Sequence, residues 1–193
     1  MGDHPPNSTD RRVLRTRRTL RDALIALLLD HSWEDISVQD ICGRADVGRS
    51  TFYLHFSDKE ELLVGGFEDL GRAIRAQLAT LAPEPRTPLP FARGLIQHAL
   101  DNRRLFRALV GRRTGQVVVR RFHDLTLGLV TEDLAASCAP SATRDAAARF
   151  LAGGFLELLG GALESRTEPS VDELDRWFQA MAGSALAMVR GSG

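Results

Sequence analysis

From Ser37 to Lys59 the chain reads SVQDICGRADVGRSTFYLHFSDK, and the spacing inside this stretch permits few structures. Ser37 is a favoured helix N-cap, and Asp40 sets a carboxylate near the positive end of the helix it starts. Val38, Ile41, Cys42 and Ala45 fall at i, i+3, i+4 and i+7, one apolar stripe on a short helix. Asp46-Val47-Gly48 breaks that helix, leaving Val47 to plug the angle between two helices. A second short helix, Arg49 to His55, turns Phe52 and Phe56 inward. Its outward positions carry Arg49, Ser50, Thr51, Tyr53 and His55, donors suited to phosphates and base edges. Ser57-Asp58-Lys59-Glu60 reads as a capping box that launches a third helix. A row of Arg, Ser, Thr and Tyr alone is an ordinary solvated face. Placed between a well-formed turn and a capped helix, it is the outer face of a helix-turn-helix, whose second helix enters the major groove of DNA.

Prolines divide the rest of the chain. Residues 1–10 are polar and proline-bearing, and the first helix is predicted from about Thr16 to Asp30, burying Leu20, Leu24, Leu27 and Leu28. From Asp58 to about Leu81 the series Leu63, Phe67, Leu70, Ile74, Leu78 and Leu81 holds helical period for five turns. APEPRTPLP at 82–90 contains four of the eight prolines and reads as a linker. Beyond it helices are predicted at 89–101, 103–111, 116–138, 141–165 and 171–190, with Pro140 and Pro169 in the breaks and Ser141 and Ser170 as caps. No segment shows sustained alternation and no repeat is evident. The predicted class is all-α, with a flexible arm at 1–12, a helix-turn-helix domain at 13–62 and a C-terminal helical domain at 63–193.

Net charge is zero, but the charge is polarised. Arg11, Arg12, Arg15, Arg17, Arg18 and Arg21 form an acid-free run ahead of the helix-turn-helix, a source of salt-dependent attraction to a phosphate backbone. A second run, Asn102 to His123, has seven arginines and no carboxylate, whereas Asp124 to Gly193 carries ten acids against five arginines. Lys59 is the single lysine. Glycines and charges interrupt every apolar run, so neither a membrane span nor a signal core is expected. Cys42 and Cys138 have no disulfide or metal-ligand spacing, which predicts a reducing, cytoplasmic setting. The five histidines show no ligand spacing, and no Ser or Cys sits in a nucleophile motif. No enzyme activity, cofactor, metal or membrane partner is therefore expected.

The helix-turn-helix segment resembles the tetracycline-repressor (TetR) family of bacterial one-component regulators. That family's pattern is a Thr-started helix, an Ala-Gly-Val-Ser turn, Thr-Leu-Tyr-x-His-Phe and a Lys-Glu-x-Leu helix start. The corresponding residues here are Ser37, Ala45-Asp46-Val47-Gly48, Thr51-Phe52-Tyr53-Leu54-His55-Phe56 and Lys59-Glu60-Glu61-Leu62, within a likeness covering residues 14–65. Two positions depart from it. Asp46 replaces the turn glycine, which Asp tolerates in a left-handed conformation. Gly48 replaces the serine N-cap, a loss of only a few tenths of a kcal/mol. The resemblance implies DNA contacts by Tyr53 and Lys59 at phosphates, with Ser37, Thr51 and His55 in support. It implies base reading by Gln39, Arg49 and Ser50, and places Arg17 and Arg18 near the backbone. It also implies a homodimer on an inverted-repeat operator and an unidentified small-molecule effector, with repression the leading mode and activation, or action through a protein partner, the alternatives.

For the C-terminal domain the resemblance implies ligand sensing and dimerisation. Two glycine pairs, Gly153-Gly154 and Gly160-Gly161, lie seven residues apart on the 141–165 helix. Glycine in a helix interior costs about 1 kcal/mol relative to alanine, so four invite close approach of another helix. Ala180, Gly183 and Ala187 form a similar face on the last helix, and the two helices are predicted to meet their twins in a four-helix interface. Pocket candidates are His98, Phe106, Phe122, His123, Phe155 and Trp177. The arginines of 103–121 either attract an acidic effector, form a solvated surface, or pair with acids on the DNA-binding head.

Overall fold

The apolar periods close into helices that pack on one another, nine among the described residues and no strand. The computed structural model describes residues 8–80, 87–110, 116–136 and 138–191. α1 (Ser8–Leu28), α2 (Val38–Ala45), α3 (Arg49–Tyr53) and the start of α4 (Lys59–Thr80) form a head. The rest of α4 enters a body of α5 (Phe91–Asp101), α6 (Arg103–Val110), α7 (Gln116–Ala135), α8 (Ala142–Glu164) and α9 (Val171–Gly191). α8 lies between α7 and α9, α5 packs on α9, and α4 runs against α7. One apolar core runs through both halves, from Leu20, Ile41 and Phe52 in the head to Phe91, Phe155 and Phe178 in the body.

α1 starts at Ser8, well before Thr16, so residues 8–12 are helix and not arm. The basic run holds no glycine or proline, and arginine is a good helix former. The arm's residues 1–7, the linker's residues 82–86 and Leu81, read as the end of the apolar series before the linker, lie outside the described residues. α8 also departs from expectation: by length and composition it is apolar enough to cross a membrane. In this fold its apolar side is explained by burial of Leu151, Ala152, Phe155, Leu159 and Leu163 in the core.

Side-chain caps set the starts of α2, α4, α8 and α9. Ser141 Oγ accepts the Arg144 amide at 3.1 Å, and Ser170 and Glu173 form a reciprocal box. At α4 the box is shifted one residue from the predicted register. Asp58 Oδ1 accepts the Glu61 amide at 2.8 Å, and Glu61, not Glu60, reaches back to the Ser57 amide at 2.6 Å. At the other end of α8, Arg103 and Arg107 of α6 donate to the carbonyls of Ala162, Leu163 and Ser165, placing cations on the negative end of the helix.

Hydrogen bonds from Ser37 to Asp40, from Ser57 to Glu61 and from Ser170 to Glu173 hold these carboxyls below the ordinary carboxylate range. Each binds a proton less readily folded than unfolded, so its contribution is complete above about pH 5 and is lost as pH falls through the folded pKa. The thermal midpoint should therefore fall on acidification below about pH 5. The double variant Glu61→Gln/Glu173→Gln, which removes two of these titrations, should flatten the decline in calorimetric scans. An unchanged slope would exclude these caps as its source.

Candidate nucleic-acid interface

Local hydrogen bonds fix the two short helices. Ser37 is extended (φ −100°, ψ 163°), its Oγ accepts the Asp40 amide at 3.2 Å, and Asp40 Oδ2 accepts the Ser37 amide at 2.8 Å. Ile41, Cys42 and Ala45 are buried and Val38 partly so, as the stripe requires. Asp46 is left-handed (φ 52°, ψ 47°), which lets the Val47 amide bond the Cys42 carbonyl at 3.0 Å and reverses the chain. Gly48 caps α3 in extended geometry without a side-chain bond. α3 is shorter than predicted, ending at Tyr53, and Leu54 and His55 complete it as a turn through His55 and Phe56 amides bonded to the Phe52 carbonyl. Phe52 and Phe56 are buried, their centroids 5.9 Å apart.

The outward face is assembled as the sequence requires. Gln39, Arg49, Ser50 and Tyr53 are exposed, while Thr51 and His55 are half-buried. Sequence reasoning passed over Leu54, the most exposed large apolar side chain described, at 81%. Its signal was its place between Tyr53 and His55, and an apolar side chain there is suited to a thymine methyl.

Two basic residues are held by the protein itself. Arg17 Nη1 donates to the His55 carbonyl at 3.4 Å, and its guanidinium lies 4.5 Å from the Phe56 ring centroid, tying α1 to the end of α3. Arg18 remains exposed on α1. Lys59 Nζ donates to the Trp33 and Ile36 carbonyls, both at 2.6 Å, and sits 4.6 Å from the Trp33 ring. Partial burial holds its pKa below the usual lysine value, against the pull of Glu34 and Asp35. Two of its three N–H groups thus clamp the α1–α2 loop onto α4, leaving one for another acceptor.

The second arginine run meets the head as the sequence allowed. Arg104 of α6 pairs with Asp30 at 3.2 Å and Arg121 of α7 with Glu60 at 2.6 Å; Arg112 and Arg113 lie outside the described residues. Within the body, Arg75 and Glu132 form a two-pronged bond at 2.8 and 2.6 Å, which raises the arginine pKa and lowers that of the glutamate. Cys42 is buried, which pushes its thiol pKa up, and it is not bonded to Cys138.

The pocket candidates separate. His98 and Phe106 touch edge to face and line a cavity between α1, α4, α5 and α6. Partial burial lowers the His98 pKa. Phe122 backs Phe106 in the core, whereas Phe155 belongs to a separate trio with Phe91 and Phe178, and His123 is half-buried on α7. Trp177 is a correction: it is 46% exposed on the outer face of α9, because the inward positions are taken by Leu174 and Phe178.

The predicted interface residues lie on an open face. Gly154, Gly161, Ala180, Gly183 and Ala187 are exposed, and Gly153 and Gly160 are half-exposed. Around them Phe150, Trp177, Met181 and Met188 are exposed at 69%, 46%, 58% and 64%. A Cβ at Gly153, Gly154, Gly160, Gly161 or Gly183 would meet nothing within 4 Å, so packing inside the protomer does not require these glycines. Gly71 contrasts with them: a Cβ there would come within 2.9 Å of Leu125, so it allows α4 and α7 to approach.

Residues 20–64 match the family described as bacterial regulatory proteins, tetR family. The HTH-type transcriptional regulator YxbF of Bacillus subtilis (strain 168) is 42% identical over 55 residues, 28% of this chain; the match spans only 14% of that protein. A TetR transcriptional regulator from Streptococcus agalactiae superposes with a TM-score of 0.67 at 27% identity, over 90% of this chain and 97% of the other. NalD of Pseudomonas aeruginosa, described as the secondary repressor of the MexAB-OprM multidrug efflux pump, superposes at 0.65 with 19% identity over 90% and 97%. The buried hinge of the helix-turn-helix and its exposed donor face fall inside the matched stretch and identify residues 20–64 as a DNA-binding region of the tetR family of bacterial regulatory proteins, carried on a helical body with the fold of a TetR transcriptional regulator.

Proposed function

We propose that the protein is a homodimeric repressor that binds an inverted-repeat operator and is released by a small molecule. The observation that carries this reading is the pairing of an exposed reading face on α2–α3 with an open apolar face on α8–α9. The first needs a DNA groove and the second needs a twin. Two-fold pairing through α8 and α9 presents two heads to successive major-groove faces, ~34–36 Å apart or a multiple of it. The fold serves both signs, since NalD is described as a repressor and DhaS as an operon activator, and repression is the reading proposed here.

Gln39, Arg49 and Ser50 read bases in this account, and Tyr53, Thr51 and the third N–H of Lys59 hold phosphates, with Ser37, His55 and Arg17 fixing the surface and Arg18 adding charge. Selection of genomic fragments bound by the purified protein, at two salt concentrations, tests it. An enriched inverted repeat is the expected outcome, whereas salt-sensitive binding without a motif would favour action through a protein partner. Arg49→Ala should relax preference at one base position by about 1–3 kcal/mol while changing non-specific affinity far less. An unchanged specificity profile in the same selection would remove Arg49 from base reading.

A further inference from the structure

A single exposed leucine on a protein surface ordinarily carries no function. Leu54 differs by where it stands. Its amide bonds the Ser50 carbonyl at 3.2 Å and its backbone is helical (φ −72°, ψ −19°), so it continues the turn of α3. Phe52 and Phe56, 0% and 2% exposed, anchor that turn in the core of the head. At about 100° per residue, Leu54 falls opposite the midpoint between these two rings. It is the residue that α3 aims most directly away from the protein, with Ser50 one turn earlier on the same side. Half-buried Thr51 and His55 flank it on one side, exposed Arg49 and Tyr53 on the other.

Ringed by hydrogen-bonding side chains, Leu54 is continuous with the donor face, so the surface that covers it is the floor of the major groove. There the 5-methyl of thymine is the apolar group on display. Leucine has no donor or acceptor. Against cytosine N4, adenine N6 or guanine O6 it would strip water from a polar edge and return no hydrogen bond. We propose that Leu54 reads the 5-methyl group of a thymine in each half-site, about two base-pair steps from the base that faces Ser50. The spacing follows from the helix, since four residues advance ~6 Å along α3, close to two steps of ~3.4 Å. Contacts of two kinds then set the preferred sequence, polar at Arg49 and Ser50 and apolar at Leu54. This assignment rests on the DNA-binding reading above and adds a base to it.

The test uses the operator recovered by genomic selection, with each thymine of one half-site replaced in turn by deoxyuridine, which lacks only the 5-methyl group. Affinities of the wild type and of Leu54→Ala are compared by fluorescence anisotropy. At one position uracil should weaken the wild type about fourfold, the worth of one buried methyl group. Leu54→Ala should bind the thymine and uracil operators equally. Because Leu54 is 81% exposed, its truncation removes no core packing, and the variant should give the circular dichroism of the wild type. Ser50→Ala, put through the same selection, should lose preference at a base pair about two steps from the sensitive thymine. A half-site with no sensitive thymine, or a uracil penalty that persists in Leu54→Ala, would overturn the assignment. Preference lost elsewhere by Ser50→Ala would overturn the alignment of the two residues. A protein that selects no sequence refutes the regulatory reading and the role of Leu54 with it. A specific operator without a Leu54-dependent methyl refutes that role alone.

Discussion

Met181→Glu is expected to sediment at the mass of one chain, where the wild type sediments as two, and to bind the operator about 100-fold or more weakly. Met181 is 58% exposed at the centre of the α9 outer face, one helical turn from Trp177 and two from Met188. Across a two-fold axis this face meets itself, so one substitution introduces two carboxylates into the same apolar contact. Both would be desolvated without partners, a penalty far larger than a dimer of ordinary size can absorb. The loss in DNA affinity follows from valency: a second head tethered to the first contributes 10²–10⁴ in avidity, which a monomer forfeits. Val119→Glu is the control, because Val119 is 46% exposed on α7 and is not part of the proposed α8–α9 face. It should dimerise normally. A dimeric Met181→Glu protein would move the interface elsewhere.

The parts legible in the sequence were those where one local rule decides. Ser37, the α2 stripe, Asp46 in its left-handed turn and buried Phe52 each follow from capping, periodicity or backbone sterics within a few residues. Helix bounds failed where local rules tie. Helix propensity favours helix in the acid-free run before Thr16, but no apolar period marks where it begins, and Glu60 and Glu61 compete for one cap. Side-chain roles were least legible, because they depend on what another helix brings. Lys59 reads as a phosphate contact until Trp33, 26 residues earlier, arrives beneath it. Trp177 reads as a pocket aromatic until Phe178 takes the inward position. The α8 glycines read as a face for another helix, and inside the protomer no neighbour fills the space beside them, so the protomer alone gives no reason for them.

Lys59→Met tests whether that single lysine is part of the fold as well as of the DNA surface. Methionine retains the apolar stem but leaves the Trp33 and Ile36 carbonyls without their donor and removes the cation from the Trp33 ring. Hydrogen bonds from a charged donor are worth more than neutral ones, and a partly exposed cation–π contact adds a smaller amount, so the expected loss is about 2–4 kcal/mol of stability. Urea unfolding would read it as a lower midpoint with an unchanged slope. Trp33 is 6% exposed, so its emission should follow the same transition as the far-ultraviolet circular dichroism. At temperatures where the variant is folded, DNA affinity should fall to a similar extent for every sequence, with the salt slope reduced by about one phosphate contact. The two readouts separate the two roles. An unchanged midpoint would deny the clamp between the α1–α2 loop and α4, and an unchanged salt slope would show that the third N–H never meets a phosphate. Arg49→Ala, whose side chain stands exposed on α3, should do neither, altering which sequence is preferred while the midpoint stays where it was.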